Sequence, residues 1–425
     1  MKKFLSALLF VGLSSHAAVW QSTNEWDMQW EQKYADWMKS DNVYATMFVN
    51  KNSAYNGGSF DCADAAYALR AIFSFENSLP FAIKNPTGSN GKFSLFTNSI
   101  NKFDYVQAGP KRVIAFLNYI ADMVGSENLT RHDTYPIALD SIKAGNVFSY
   151  KIKARFGKWI RHVYNIKNVN DTGTFDLIYS TQAIRKAGVP LNYRKEKPIV
   201  EKPHDVWGFK AFIWPNLHGV SYSQYPSEMR YSTEQFELAS KMDTGSFFKL
   251  VKNKLKIVDE TDEAVLIKAF NNVCSESQAR IQYVNEAADR LAQTGGKCMD
   301  YADYDAYSTP ARDKALKDAF ETLWISFKEI VEKGTVSPNS NAYKLANAVF
   351  WHRSTNQPHL YEPNSAEKDL LFETCPINYK ANKSIDLAEL FIRIRTHALS
   401  SHPNDILENR WGENIGRRTK CKAWY

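Results

Sequence analysis

The sequence predicts an α+β domain followed by an α-helical region. Helical patterns come first, up to about residue 123, and segments rich in Val, Ile, Tyr and Phe follow within residues 146–214. From about Ser232 onward, apolar residues recur at helical spacing again. Helices followed by a run of strands are typical of α+β folds, whereas alternating units would predict a parallel sheet. We therefore expect a first domain at 18–230 and a helical domain at 231–425.

The first 17 residues have the layout of a secretory signal peptide. Lys2 and Lys3 precede an apolar run from Phe4 to Leu13, and Ala17 ends a plausible cleavage site. This order of charge, short apolar run and small residues is typical of export signals. The run is too short to span a bilayer as a helix. We expect a bacterial protein that is secreted or periplasmic and cleaved near Ala17; the alternative is a short N-terminal core helix.

Charge and composition exclude some partners and leave others open. The net charge of +7, from 53 Lys and Arg against 46 Asp and Glu, permits an acidic partner such as a cell-wall polymer, an anionic membrane surface or nucleic acid, and does not choose among them. No later segment of the sequence has a run of apolar residues long enough for a transmembrane helix. Zinc-ligand spacings, a P-loop and a Rossmann fingerprint are missing from the sequence. We expect no cofactor, no metal, no transmembrane segment and no nucleic-acid partner, and the oligomeric state stays open.

Three helices are predicted before the strands. The segment 23–40 places three tryptophans on one stripe, with Asn24 as the candidate N-cap. The second helix runs from Cys62 to about Asn77, and the third spans about 111–123. Residues 84–109, which are rich in Asn, Gly, Ser and Lys, are predicted to form a long surface insertion.

Four segments have the composition of strands, namely 146–152, 159–169, 175–181 and 207–214. The sequence NDTG at 170–173 is typical of a turn, so the second and third strands are predicted to form a hairpin.

The region after residue 231 is predicted to be helical. Its clearest helix begins at Pro310 and ends at Gly334, residues that favour the start and the end of a helix. Further helices are expected near 260–293, 340–352 and 384–400.

The five cysteines divide unevenly along the chain. Cys274, Cys298, Cys375 and Cys421 lie in the C-terminal half, where three pairings are open, and Cys62 is alone in the N-terminal half. An exported protein can form disulfides. The odd cysteine should then be a free thiol or an intermolecular one, and Cys62 is the natural candidate.

Cys62 stands at the start of its predicted helix. Asp61 is a good N-cap, and Asp64 suits the first turn. Backbone amides and the positive end of the helix dipole lower the pKa of a thiol there and can stabilise an oxyanion. The two aspartates oppose a thiolate, so a cationic partner is needed. The alternative is a cysteine that acts as a small hydrophobic residue on an apolar helix face.

His162 is the candidate base for such a nucleophile. Of the nine histidines, it alone begins a clear strand, where His162, Tyr164 and Ile166 share one face. A nucleophilic thiol needs a base within hydrogen-bond reach. A histidine on the sheet face that a helix covers could meet Cys62, and the alternative is a structural histidine.

Four stretches together resemble the NlpC-type cell-wall peptidases of the papain-like superfamily. They are FDC at the helix start, AGNVFSYK, the strand that opens with His162, and DLIYST at 176–181. The resemblance covers roughly residues 55–185. It implies a papain-like core in which the nucleophile helix packs on an antiparallel sheet. It also implies Cys62 as the nucleophile, His162 as the base and Tyr179 at the position of the third polar residue, where the family has His, Asn or Gln.

The resemblance implies a cysteine hydrolase that cleaves amide bonds in peptidoglycan peptides through a thioester. The helix around Cys62 also resembles the nucleophile helix of transglutaminase-like proteins, which would imply transfer to an amine. A third reading is a catalytically inactive papain-like envelope binding protein. The scissile bond, the role of the helical half and any gating by residues 84–109 stay open.

Overall fold

The computed structural model describes residues 18–87, 94–153, 159–181, 187–353, 359–414, 416 and 418–424. The predicted signal peptide lies outside the described residues. Within them, the protein is a mixed α+β structure with a six-stranded antiparallel sheet.

The α-helices of the described residues are α1 (Met28–Lys39), α2 (Cys62–Glu76), α3 (Pro110–Ala121), α4 (Ser126–Asn128), α5 (Glu234–Lys241), α6 (Thr244–Leu255), α7 (Asp262–Gln293), α8 (Tyr301–Tyr307), α9 (Pro310–Lys333), α10 (Asn341–Phe350), α11 (Ser365–Thr374), α12 (Leu387–Arg395) and α13 (Leu407–Arg410). The strands are β1 (Ala82–Lys84), β2 (Leu95–Thr97), β3 (Thr134–Pro136), β4 (Val147–Lys153), β5 (Trp159–Val169), β6 (Phe175–Tyr179), β7 (Asn192–Arg194), β8 (Phe209–Phe212), β9 (Ile377–Lys380) and β10 (Lys383–Ile385).

The main sheet has the strand order β3-β8-β4-β5-β6-β7, and every neighbouring pair is antiparallel. The four predicted strands correspond to β4, β5, β6 and β8. The predicted hairpin turn is confirmed, because Asn170 N–H donates to Thr174 O at 2.9 Å and Gly173 adopts a φ of 76°. A positive φ is easy only for glycine, so Gly173 fixes this turn.

The two faces of the sheet are covered by different helices. On one face, Phe212 meets Tyr67 of α2, and Lys167 Nζ donates to Met38 O at the end of α1. On the other face, Phe148 packs against Phe209 and against Phe248 of α6. Since side chains alternate along a strand, these contacts assign each strand residue to a face.

The caps of the first two helices test the predictions closely. Asp61 accepts the N–H groups of Ala63 and Asp64, while the Asp64 carboxylate accepts the N–H of Asp61. The predicted start of α2 is therefore confirmed as a reciprocal capping box. The predicted cap of the first helix is wrong: α1 begins after Asp27, which accepts from Trp30 N, and Asn24 lies outside the helix.

The expected surface insertion at 84–109 takes part in a small sheet, whose first strand begins before it at Ala82. Strands β1 and β2 pair antiparallel, and Phe96 and Phe103 are buried in the first core. The polar composition of the segment gives no sign that these two rings are buried. Phe96 and Phe103 pack against aromatic rings of α3. Residues 88–93 lie outside the described residues.

The apolar side chains form two separate clusters. The first runs from Val19 to Val251 and the second from Leu266 to Trp411. Helices α5 and α6 therefore pack with the first core, although the predicted boundary at residue 230 precedes them. The helical domain also contains the β9–β10 hairpin, which the sequence pattern does not predict.

Two disulfides hold the helical domain. They join Cys274 to Cys375 and Cys298 to Cys421, and Cys62 is a free, buried thiol. The structure thus selects one of the three open pairings and leaves the odd cysteine unpaired. Disulfides of this kind fit an extracellular protein. Over the described residues, no helix is both long enough and apolar enough to cross a membrane.

Candidate functional site

Cys62 lies at the N-terminus of α2, where the helix meets β5 and α4. Its side chain is buried, and its Sγ is 3.7 Å from the Ser126 hydroxyl oxygen. The backbone of Val163 on β5 also contacts the sulfur. Because the Asp61 carboxylate already accepts the N–H groups of Ala63 and Asp64, the Cys62 amide is the first-turn donor left for an oxyanion.

The surroundings of Cys62 favour the protonated thiol. Burial raises the pKa of the thiol to about 12, and the charges of Asp61 and Asp64 act in the same direction. Hydrogen bonds from Ser126 and from the Val163 backbone lower this pKa but do not outweigh the burial. The expected activation by the helix N-terminus is thus offset, since a buried anion next to two carboxylates is unfavourable.

His162 lies near the start of β5, directly opposite Tyr150 of β4. Three tyrosine rings surround its imidazole, with centroid distances of 4.7 Å to Tyr164, 5.5 Å to Tyr179 and 5.6 Å to Tyr150. Burial lowers the pKa of His162 to about 3, and the positive charge of Lys197 adds to this effect. The imidazole is therefore neutral at neutral pH.

The structure brings Cys62 to the strand that carries His162 but does not join the two side chains. Val163, whose backbone contacts the sulfur, directly follows His162. Tyr164 pairs with Phe148, on the face that α6 covers, and His162 shares that face by alternation. Among the residues that the structure describes, no hydrogen bond connects Cys62 Sγ with the imidazole of His162.

This placement corrects the expected geometry. The sequence placed His162 on the sheet face that the Cys62 helix covers, whereas the structure places it on the opposite face. Alternation showed which strand residues share a face, but it carried no information on which helix covers that face. The contact of Phe212 with Tyr67 of α2 settles this point.

Tyr179, the third predicted site residue, does lie beside His162. It is buried near the end of β6, and its ring meets those of His162 and Tyr164 edge to face. Burial raises the pKa of its hydroxyl, so Tyr179 is neutral. Within the described residues it contacts the imidazole by ring packing and not by a hydrogen bond, so it can fix the orientation of the ring but not the proton position.

A group of charged residues next to Ser126 was not predicted. The Glu127 carboxylate accepts hydrogen bonds from Lys151 at 2.7 Å, Arg161 at 2.8 Å and Arg131 at 2.9 Å. Although partial burial opposes it, these hydrogen bonds lower the pKa of Glu127 to about 2. The cations that a Cys62 thiolate would need are therefore engaged by Glu127. The members lie on α4, in the helical turn at 129–133, on β4 and on β5, and they form no sequence motif.

The helical domain also reaches the face of the sheet that carries His162. Arg312 of α9 donates to the Thr181 carbonyl at 3.2 Å and stacks over the Tyr283 ring. Lys197 and Glu276 of α7 form an ion pair of 2.5 Å with mostly buried side chains. Residues of both domains therefore lie near His162. The sequence does not predict this proximity, because these residues are far apart along the chain.

No cluster of three or more His, Cys, Asp or Glu side chains suited to a metal ion occurs among the described residues. No family model, no curated protein and no solved structure matches the chain.

Proposed function

We propose that the first domain has a papain-like core and is a cysteine hydrolase that cleaves amide bonds in peptidoglycan peptides outside the cytoplasm. One observation carries the proposal: the single free thiol of the five cysteines lies at a capped helix N-terminus, against the strand residue that follows His162. The two disulfides and the predicted export signal support the location, and the location motivates the substrate.

In the proposed reaction, Cys62 Sγ attacks the amide carbonyl and forms a thioester as the amine leaves. His162 accepts the thiol proton and returns it to the leaving nitrogen. The amide of Cys62 donates to the oxyanion of the tetrahedral intermediate. Water then attacks the thioester, which releases the acid and restores the thiol.

The raised pKa of Cys62 and the lowered pKa of His162 define the resting state of this site. Both groups are neutral, so the proton leaves the sulfur only as the carbonyl is attacked. Proton transfer needs a sulfur-to-nitrogen approach close to hydrogen-bond length. Because the two side chains lie on opposite faces of the sheet, catalysis requires that substrate binding rearranges the start of β5 so that the imidazole of His162 reaches Cys62.

The same observations favour a second candidate, a catalytically inactive envelope binding protein. A buried thiol, a neutral imidazole packed among three tyrosines and the missing hydrogen bond between them are what a structural role of both residues produces. The two candidates differ in a measurable activity that must depend on Cys62.

The test is digestion of purified cell-wall sacculi by the wild type and by the variants Cys62→Ala and His162→Gln. His218→Gln, which changes another partly buried histidine outside the site, is the matched control. Mass spectrometry of the released fragments identifies the bond that is cut. The proposal expects fragments from the wild type and the control, and loss of release by at least about 100-fold in both site variants.

Release that Cys62→Ala leaves unchanged, or no release by any variant, would rule out the hydrolase and favour the binding protein. A parallel digestion with an added primary amine separates hydrolysis from acyl transfer, because a transferase passes most of the acyl group to the amine, whereas a hydrolase releases mainly the free acid.

A further inference from the structure

A cavity lies between the sheet face that carries His162 and the helical domain. Its volume is about 120 Å³, and its walls come from β4, β5, the segment 197–201, α7 and α9. Tyr150 and Tyr164, whose rings contact His162, form part of the sheet wall. None of the reactions proposed for Cys62 uses this space.

The walls of the cavity are mostly apolar. Ile152 and Ile160 stand opposite each other on β4 and β5, and Ala315 and Ala319 face them from α9. The alanine side chains are small and take up little of the space. Liquid water occupies about 30 Å³ per molecule, so the cavity holds about four waters, or a ligand group of about five or six non-hydrogen atoms.

The charges at the cavity are unequal. Lys197 pairs with Glu276, and Lys314 pairs with Asp318 at 2.5 Å. Glu201 is the fifth charged residue of the lining, and its carboxylate makes no hydrogen bond or ion pair with another described residue. The charges within each of the two ion pairs cancel, so the carboxylate of Glu201 leaves the cavity wall with a net charge of one negative unit.

The surroundings of Glu201 disfavour its ionised form. Burial raises the pKa of this carboxyl, the charge of Lys314 lowers it, and the charge of Asp318 raises it again. A cation placed in the cavity would favour the ionised carboxylate and so offset both effects.

We propose that this cavity binds an aliphatic primary ammonium group, such as the side-chain end of a diamino acid, with Glu201 as its counter-ion. The isoleucines and alanines take the methylene chain, and Tyr150 and Tyr164 in the sheet wall supply aromatic rings, which attract cations. A carboxylate ligand would meet the net negative charge, and a neutral alcohol would leave Glu201 unpaired. The site is independent of the reaction proposed for Cys62.

The test uses n-butylammonium as the probe, with n-butanol and butyrate as neutral and anionic probes of matched size. Binding is measured by ligand-observed NMR titration of the full chain carrying Cys62→Ala, so that catalysis does not contribute. The variants are Glu201→Gln, which removes the charge, and Ala315→Phe, which fills the space. Glu237→Gln, an exposed carboxylate on α5 outside the cavity, is the control.

We expect n-butylammonium to bind with a Kd in the millimolar range, which lies within the limit for so small a ligand. Glu201→Gln should weaken binding at least about tenfold, Ala315→Phe should abolish it, and Glu237→Gln should leave it unchanged. The cavity variants must also unfold at the temperature of the control, which shows that they are folded.

The absence of saturable n-butylammonium binding would overturn the proposal, as would equal binding of n-butanol or unchanged affinity in Glu201→Gln. Because the readout is binding to an inactive variant, a failure to digest sacculi leaves this result unaffected.

Discussion

Asp61 has two roles at the start of α2, and substitution can separate them. Its carboxylate accepts the N–H groups of Ala63 at 2.9 Å and Asp64 at 3.1 Å. Its charge is also the largest contribution, after burial, to the raised pKa of Cys62. Asp61→Asn keeps a good cap and removes the charge, whereas Asp61→Ala removes both.

The expected magnitudes follow from these contacts. Loss of an Asp cap costs about 0.5–2 kcal/mol, so Asp61→Ala should lower the melting temperature of the first domain by about 1–8 °C. Asn and Asp are similar caps, so Asp61→Asn should change stability by less than about 0.5 kcal/mol. Both variants should lower the pKa of Cys62. Each unit by which this pKa falls raises the thiolate fraction about tenfold at neutral pH.

The assay is alkylation of the folded, non-reduced protein by iodoacetamide across a range of pH. Four of the five cysteines are in disulfides, so the rate reports Cys62 alone. Asp41→Asn, which removes a carboxylate away from the thiol, serves as the control. If Asp61→Asn were as destabilising as Asp61→Ala, or if neither variant reacted faster than the wild type, the assignment of the two roles would be refuted.

Three further predictions concern charges and cross-links. Since the pKa of His162 is lowered to about 3 in the folded protein, its contribution to stability is present above pH 6.5 and is lost as the pH falls towards 3. Urea unfolding should show a loss of about 3 kcal/mol between pH 6.5 and pH 4, and His162→Gln should remove that part of the pH dependence; an unchanged slope would contradict a neutral imidazole in the folded protein. Lys197→Met or Glu276→Leu alone should cost about 3–5 kcal/mol, while the double variant should recover most of that loss; additive losses in denaturant unfolding would contradict the pairing. Replacing Cys298 and Cys421 together by serine should cost about 2–5 kcal/mol in the thermal unfolding of the helical domain, and an unchanged midpoint would contradict a structural cross-link.

The elements that could be predicted are those whose signals are local. The hairpin of β5 and β6 follows from alternating β-formers around a turn that contains Gly173, and α2 begins where Asp61 and Asp64 cap it. The turn and the cap are each decided by residues within four positions of one another, and the strands by residues that neighbour the turn. The free thiol of Cys62 follows from an odd count of cysteines, which is also independent of the fold.

The features that could not be predicted depend on contacts between distant residues. Strands β3 and β7 have three residues each, too few for a periodic pattern, and are strands only because β8 and β6 pair with them. The face on which His162 lies depends on which helix packs on which side of the sheet. Glu201 lies near α9 because the two domains pack together. The residues next to Glu201 in the sequence do not predict a cavity.

The two disulfides of the helical domain overlap along the chain. One spans positions 274–375 and the other 298–421, so each begins or ends inside the other. A single cut of the backbone anywhere between Cys274 and Cys421 therefore releases no fragment, because at least one disulfide bridges every such cut. In a compartment that contains proteases, a nicked helical domain would stay in one covalent piece, and the wall that it contributes to the cavity would stay attached to the sheet.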